Sequence, residues 1–210
     1  MVLDFGAGYW LRHALASDHA PMSMVCLKTG DSGKDATDRE DDPSLLGLIY
    51  AVPYQVYEPD FAFVVDGPDG VCGYILGARD SDAFYRRLTD EWFPPIAARL
   101  ADPAPDEADW RRSDWARYLI HHPDFGWPPP LHPWPAHGHI DLLEEARGRN
   151  IGRRGMEHMM AALKAAGASG IHLGVSPKNR GAQSFYQKLG FAVVSDPALP
   201  RHTLFMARSL

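Results

Sequence analysis

Apolar and polar positions along this chain change period repeatedly, and each change marks an element. Residues 61–65 and 71–78 are β-rich runs joined by Asp66-Gly67-Pro68-Asp69-Gly70. That turn composition predicts a hairpin. Residues 136–143 and 171–175 are two later apolar runs of strand length, and 150–166 between them reads as a helix with Gly167 as its stop. Residues 179–189 predict another helix, and 192–195 and 203–207 two closing strands. Before the hairpin, 9–12 predicts a short first strand. Ser17 or Asp18 is placed to cap a helix reaching about residue 27. Residues 43–50 look helical, with Pro43 suited to a first turn. The run 82–100 looks helical but interrupted at Pro94-Pro95, and 106–122 predicts a helix burying Trp110, Trp115, Tyr118 and Leu119 in one stripe.

Two stretches resist regular structure. Residues 28–42 contain no large apolar side chain and predict a mobile loop, either a connector or a flap on the substrate side. Residues 123–135 hold six prolines together with Trp127 and Trp134, and predict a rigid loop that walls or lids a pocket also reached by Tyr54 and Tyr57. An early hairpin and a late β-α-β unit predict an α/β (α+β) chain. It forms a single domain over 1–210 with a mixed, mostly antiparallel sheet of about six to seven strands flanked by helices.

Composition narrows the classes. At 210 residues one domain with a sizeable core is expected. A net charge of −6 argues against a general nucleic-acid binder. Cys26 and Cys72 are too few for a disulfide framework and read as free thiols. Neither a signal peptide nor an 18-residue apolar span is seen, so a cytoplasmic chain without membrane contact is expected. Five histidines fall between His121 and His139, but their spacing matches no closed zinc pattern, and no metal is expected.

Against that acidic background, 147–154 carries Arg147, Arg149, Arg153 and Arg154 and no acid. The run lies where the strand ending at Leu142 and Leu143 turns into the helix. Unpaired N–H groups at a helix start point at an anion, and Gly148 and Gly152 allow backbone to approach it closely. Cations at a helix start oppose its dipole unless an anion binds there. Rival phosphate and nucleophile motifs are absent: there is no P-loop, no G-x-G-x-x-G turn and no G-x-S-x-G elbow.

Two motifs carry a resemblance. Arg147-Gly148-Arg149-Asn150-Ile151-Gly152 resembles the R/Q-x-x-G-x-G/A pyrophosphate loop of the GNAT acetyltransferase superfamily. Asn179-x-x-Ala182-x-x-Phe185-Tyr186-x-Lys188-x-Gly190-Phe191 resembles that superfamily's later motif. Residues 60–84, the Ile140-Asp141-Leu142 strand and the final Ala207-Arg208-Ser209-Leu210 are similar to the family of acetyltransferase-like domains found at the C-terminus of O-GlcNAcase and in free-standing bacterial relatives. The resemblance implies a GNAT fold splayed between strands 4 and 5, binding acetyl-CoA and passing acetyl directly to an amine. The pantetheine arm would run along Leu142 and Leu143, and the pyrophosphate would sit on Arg147, Gly148, Arg149, Asn150, Ile151, Gly152, Arg153 and Arg154. Asn179, Phe185 and Tyr186 would complete the cofactor site. The acceptor would be a small-molecule or peptide amine, and the protein a monomer or homodimer. Asn150 departs from the motif's glycine, but Asn tolerates left-handed backbone. The eukaryotic domain of this kind is regarded as a pseudo-acetyltransferase with a degenerate loop. A catalytically inactive binding module is therefore the alternative reading.

Tyr186 is the candidate acid for the leaving thiolate, a role the resemblance implies. His137, His139 and Asp141 alternate along one strand and so share a face. Any of the three is a candidate for taking the acceptor's proton or holding its cation.

Overall fold

The computed structural model describes residues 1–210. Its strands are β1 (Leu3–Gly6), β2 (Tyr9–His13), β3 (Ala62–Gly67), β4 (Gly70–Ala78), β5 (Ala136–Leu142), β6 (Gly170–Val175), β7 (Ala192–Val193) and β8 (Leu204–Ser209). They form one sheet in the order β1-β2-β3-β4-β5-β6-β8-β7. Neighbours are antiparallel except β5 and β6, which are parallel. The helices are α1 (His19–Thr29), α2 (Leu45–Tyr50), α3 (Val52–Tyr57), α4 (Ser81–Arg87), α5 (Phe93–Ala97), α6 (Asp114–His121), α7 (Ile151–Ala165) and α8 (Arg180–Lys188). This is the expected mixed, mostly antiparallel α/β architecture. The sheet reaches eight strands because Leu3–Gly6 adds an edge strand before the expected first one. The fourth and fifth strands of the sequence reading are therefore β5 and β6.

Both faces of the sheet are covered, which is why its central strands read as near-continuous apolar runs. Successive side chains point to opposite faces. Phe63, Val65 and Ile75 meet Met156, Met159 and Leu163 of α7 on one side. Ala62, Val64, Tyr74 and Leu76 meet the helices α1 to α6 on the other.

Local expectations fail where a competing contact wins. Asp18 does not cap α1. Its carboxylate is buried against Arg12 at 2.6 and 2.9 Å and accepts the Leu15 N–H at 2.7 Å. Pro94 and Pro95 do not break the helical run but sit in the first turn of α5. A wide π turn over Leu88–Trp92 just upstream absorbs the irregularity. Helix α6 starts only at Asp114 because Arg112 adopts positive φ (48°). Its core residues are Ala116 and Ile120, while Trp110 stacks outside on Tyr118.

The proline-rich loop packs against the fold. Phe125 stacks on Tyr85 and Phe93, and the Trp134 carbonyl is bound by His172. Tyr54 is buried, with its hydroxyl 2.8 Å from His137 Nε2, and Tyr57 lies under the Arg87 guanidinium. No helix is long and apolar enough to cross a membrane.

The decisive feature is where β5 and β6 stop pairing. Only Ala136↔Ile171 and His137↔His172 are in register. Beyond them β5 runs on to Leu142 and β6 to Val175 without pairing, which opens a wedge in the sheet.

Candidate active site

The wedge widens into a cleft of about 750 Å³. Backbone polarity along β5 follows from one bond, Leu143 N–H to the Cys72 carbonyl at 2.9 Å. Alternate strand residues turn their backbone groups to opposite sides. Odd-numbered residues of β5 therefore face β4, and Ile140 and Leu142 face the gap. The expected role of Leu143 is corrected on this ground: its N–H is already used. The Leu142 carbonyl is taken by Arg147 Nε at 2.8 Å.

One mouth of the cleft is an anion cradle. Gly148 (φ 72°) and Asn150 (φ 64°) turn the chain sharply into α7. Asn tolerates this left-handed geometry where an ordinary residue would lose about 1–2 kcal/mol. The first amides of the 15-residue helix have no internal acceptor and face the cleft with the positive end of its dipole. Lys34, Arg147, Arg153 and Lys188 line the cleft, and Asp141 is its one acid.

The four arginines divide. Arg149 and Arg154 do not line the cleft, which corrects their expected role. Arg149 lies over the Tyr9 ring at 4.8 Å, and Arg154 lies over Phe5 at 5.0 Å and binds the Asp4 carbonyl at 2.9 Å. They anchor the β1–β2 hairpin to the turn.

The candidate proton-transfer residues lie along β5. His137, His139 and Asp141 share one face, as their spacing predicts, but at different depths. His137 is 4% exposed, and both ring nitrogens are engaged, Nδ1 with Ser81 Oγ and Nε2 with the Tyr54 hydroxyl, each at 2.8 Å. Burial holds its imidazole neutral, well below the usual histidine range. His137 is thereby removed as a base. Asp141 lines the cleft, and its Oδ2 accepts from the Tyr74 hydroxyl at 2.6 Å and lies 3.0 Å from His139 Nε2. Tyr186 lines the same cleft. Burial, then the charge of Asp141, raises its hydroxyl above the usual phenol range, so it stays protonated at neutral pH. Cys26 is pushed up to about 12 by burial and Cys72 to about 11. Neither is a thiolate nucleophile.

Asn179 caps α8 by accepting the Ala182 N–H at 3.0 Å, as predicted. Its amide also donates to the Ser32 carbonyl at 3.0 Å, and Arg147 Nη2 donates to the Gly33 carbonyl at 3.1 Å. The expected loop 28–42 begins only after α1 ends at Thr29, carries a short 3-10 turn at Thr37–Arg39, and is tied to both lips of the gap. Sequence reasoning missed Tyr74, Ile140, Lys34 and Lys188. Lys188 stood inside a quoted motif. Tyr74 left no local signal, because its importance depends on the β4–β5 register that sets it opposite Asp141.

Residues 58–191, well over half the chain, match the sequence profile described as Acetyltransferase (GNAT) family. Over 204 residues the chain is 24% identical to Protein O-GlcNAcase of Rattus norvegicus, and equally to that of Mus musculus. These matches cover 96% of the chain and 22% of each relative, so the chain spans about a fifth of their length. The solved structure of SsHAT has a TM-score of 0.86 at 31% identity, over 96% of this chain and 98% of that one. A phosphinothricin acetyltransferase from Sinorhizobium meliloti, solved in complex with AcCoA, shares the fold, with a TM-score of 0.54 at 16% identity over 97% of this chain and 89% of that one.

Proposed function

Because this chain belongs to the acetyltransferase (GNAT) family and is an enzyme of that type, we propose that it transfers acetyl from acetyl-CoA directly to an amine. The supporting observation is the coincidence of three features in one cleft: free β5 backbone, an anion cradle at one mouth, and Asp141 and Tyr186 both in its lining. The chain's residues fit the coenzyme. Amides at the start of α7, with Arg147 and Arg153, suit its pyrophosphate by charge-assisted hydrogen bonds. Backbone groups of Ile140 and the N–H of Leu142 suit the amides of its arm, and Phe185 supplies an apolar wall. Once bound, the coenzyme supplies an acetyl thioester, an electrophilic carbonyl with a thiolate leaving group.

Each protein group then has one task. A free β5 N–H polarises the carbonyl. Asp141 holds the acceptor's ammonium beside it. Tyr186, protonated at neutral pH, donates its proton to the departing sulfur. With both cysteines held as thiols, direct transfer is favoured over an acyl-enzyme. The acceptor class is a small-molecule or peptide amine.

The test is thiol release from acetyl-CoA with a panel of amines: a lysine peptide, a free peptide N-terminus, glucosamine and spermidine. A positioned general acid contributes about 10²–10⁴-fold. Tyr186→Phe should therefore lower kcat by about 100-fold at the bottom of that range, with acetyl-CoA binding intact. Transfer to none of the amines, or an unchanged kcat in Tyr186→Phe, would sink the reading.

A further inference from the structure

Asp141 makes two contacts through one oxygen and leaves Oδ1 uncommitted. Oδ2 accepts from Tyr74 Oη at 2.6 Å and meets His139 Nε2 at 3.0 Å. A carboxylate accepts only, so Nε2 must carry hydrogen. In neutral His139 that leaves the lone pair on Nδ1. The ring stacks with Tyr74 at 5.6 Å and 24° and with Tyr50 at 6.4 Å and 15°. Its side chain is 36% exposed, against 22% for Asp141, so the ring reaches solvent while Asp141, which it touches, lines the cleft. Tyr74 itself is fully buried, and burial followed by the charge of Asp141 raises its hydroxyl well above the usual phenol range. It can therefore serve Asp141 only as a donor. The groups facing this cluster are Tyr74 from β4, Tyr50 from α2, Cys26 from α1, Tyr186 from α8, and His137 on β5 itself.

We propose that His139 Nδ1 takes the proton from the acceptor ammonium, directly or through one water, and that Tyr74 is its positioning residue, acting through Asp141. This assignment rests on the acetyl-transfer reading. The N–H bond of the ammonium breaks and its electron pair stays on nitrogen. The proton forms a bond to Nδ1, and the imidazolium returns it to solvent at the exposed ring edge. The neutral amine is then the nucleophile. Asp141 both receives the incoming cation and stabilises the imidazolium. Tyr74 fixes the carboxylate so that Oδ2 faces the ring and Oδ1 faces the cleft.

The experiment is kcat/KM against pH for amine acetylation from acetyl-CoA, with coenzyme affinity measured by calorimetry in the same variants. Wild type should show an acidic limb. His139→Ala should lose about 100-fold in kcat/KM, lose that limb, keep coenzyme affinity, and recover rate when imidazole is added. Tyr74→Phe keeps the ring and its packing, and should lose about tenfold in kcat with a displaced limb. His139→Ala with a wild-type limb and rate, or Tyr74→Phe with an unshifted profile, overturns the assignment while acetyl transfer stands. A wild-type protein that acetylates no amine overturns the underlying reading, and this assignment with it.

Discussion

The division of the four arginines yields a quantitative prediction. Arg147 and Arg153 line the cleft, whereas Arg149 and Arg154 clamp the N-terminal hairpin. Arg153 is tied only to Glu157, at 2.9 Å with side chains 59% and 49% exposed. Such exposed i,i+4 pairs are worth about 0.3–0.5 kcal/mol, so it surrenders little on turning to an anion. A hydrogen bond to a charged group contributes about 1.5–3 kcal/mol, roughly ten- to 150-fold in Kd. Arg153→Ala should therefore weaken acetyl-CoA at least about tenfold with little change in Tm. Arg149→Ala and Arg154→Ala should do the opposite. Each removes an exposed cation–π contact of about 0.5–1 kcal/mol together with a backbone hydrogen bond of about 1 kcal/mol. A loss of about 1.5–2 kcal/mol corresponds to a fall in Tm of about 3–8 °C for a chain of this size. Isothermal titration and calorimetric melting on the same three variants separate the cases. If Arg149→Ala costs as much binding as Arg153→Ala while Tm holds, the partition is wrong.

Two further predictions concern stability. Burial lowers the pKa of both His137 and His172. The unfolded chain therefore takes up protons, below about pH 6.5, that the folded state refuses. The stability these neutral histidines contribute is complete above that pH and falls by about 1.4 kcal/mol per pH unit per group as pH drops towards the folded value. Urea melts between about pH 7.5 and 5.5 should show this decline, and His137→Gln should make it shallower; an unchanged slope would refute it. At Asn150, where φ is 64°, Gly should be tolerated within a few tenths of a kcal/mol, but Ala should cost about 1 kcal/mol in chemical denaturation. Equal stability of the Asn and Ala proteins would mean that the left-handed turn is not held.

The parts of the fold governed by local physics were legible in the chain. The hairpin, the helix after the arginine turn, its Gly167 stop and the Asn179 cap all follow from turn chemistry, periodicity and capping. So did the shared face of His137, His139 and Asp141, a consequence of strand period alone. Depth was not legible. His137 is buried by Ser81, Tyr54, Phe84 and Tyr85, which lie far from it in sequence. The same limit hid Tyr74, which meets Asp141 only through strand register. It also made four adjacent arginines look equivalent. Two of them are claimed by Tyr9 and Phe5, about 140 or more positions away, a competition no local window contains. Asp18 failed as a cap for the same reason, since Arg12 outbids a backbone amide for its carboxylate.

The ties from Ser32 and Gly33 to opposite lips of the gap have a topological meaning. At one end the gap is stitched by the pairs Ala136↔Ile171 and His137↔His172. At the other the chain crosses from Arg147 to Asn179. Together they turn a wedge into an eyelet. A long molecule lodged there must be threaded by its end or admitted by unlatching the crossing. Two hydrogen bonds at about 1 kcal/mol each keep such a latch closed roughly thirty times more often than open. A latch of that weight lets thermal motion serve as the door, so entry and exit require no larger rearrangement of the sheet.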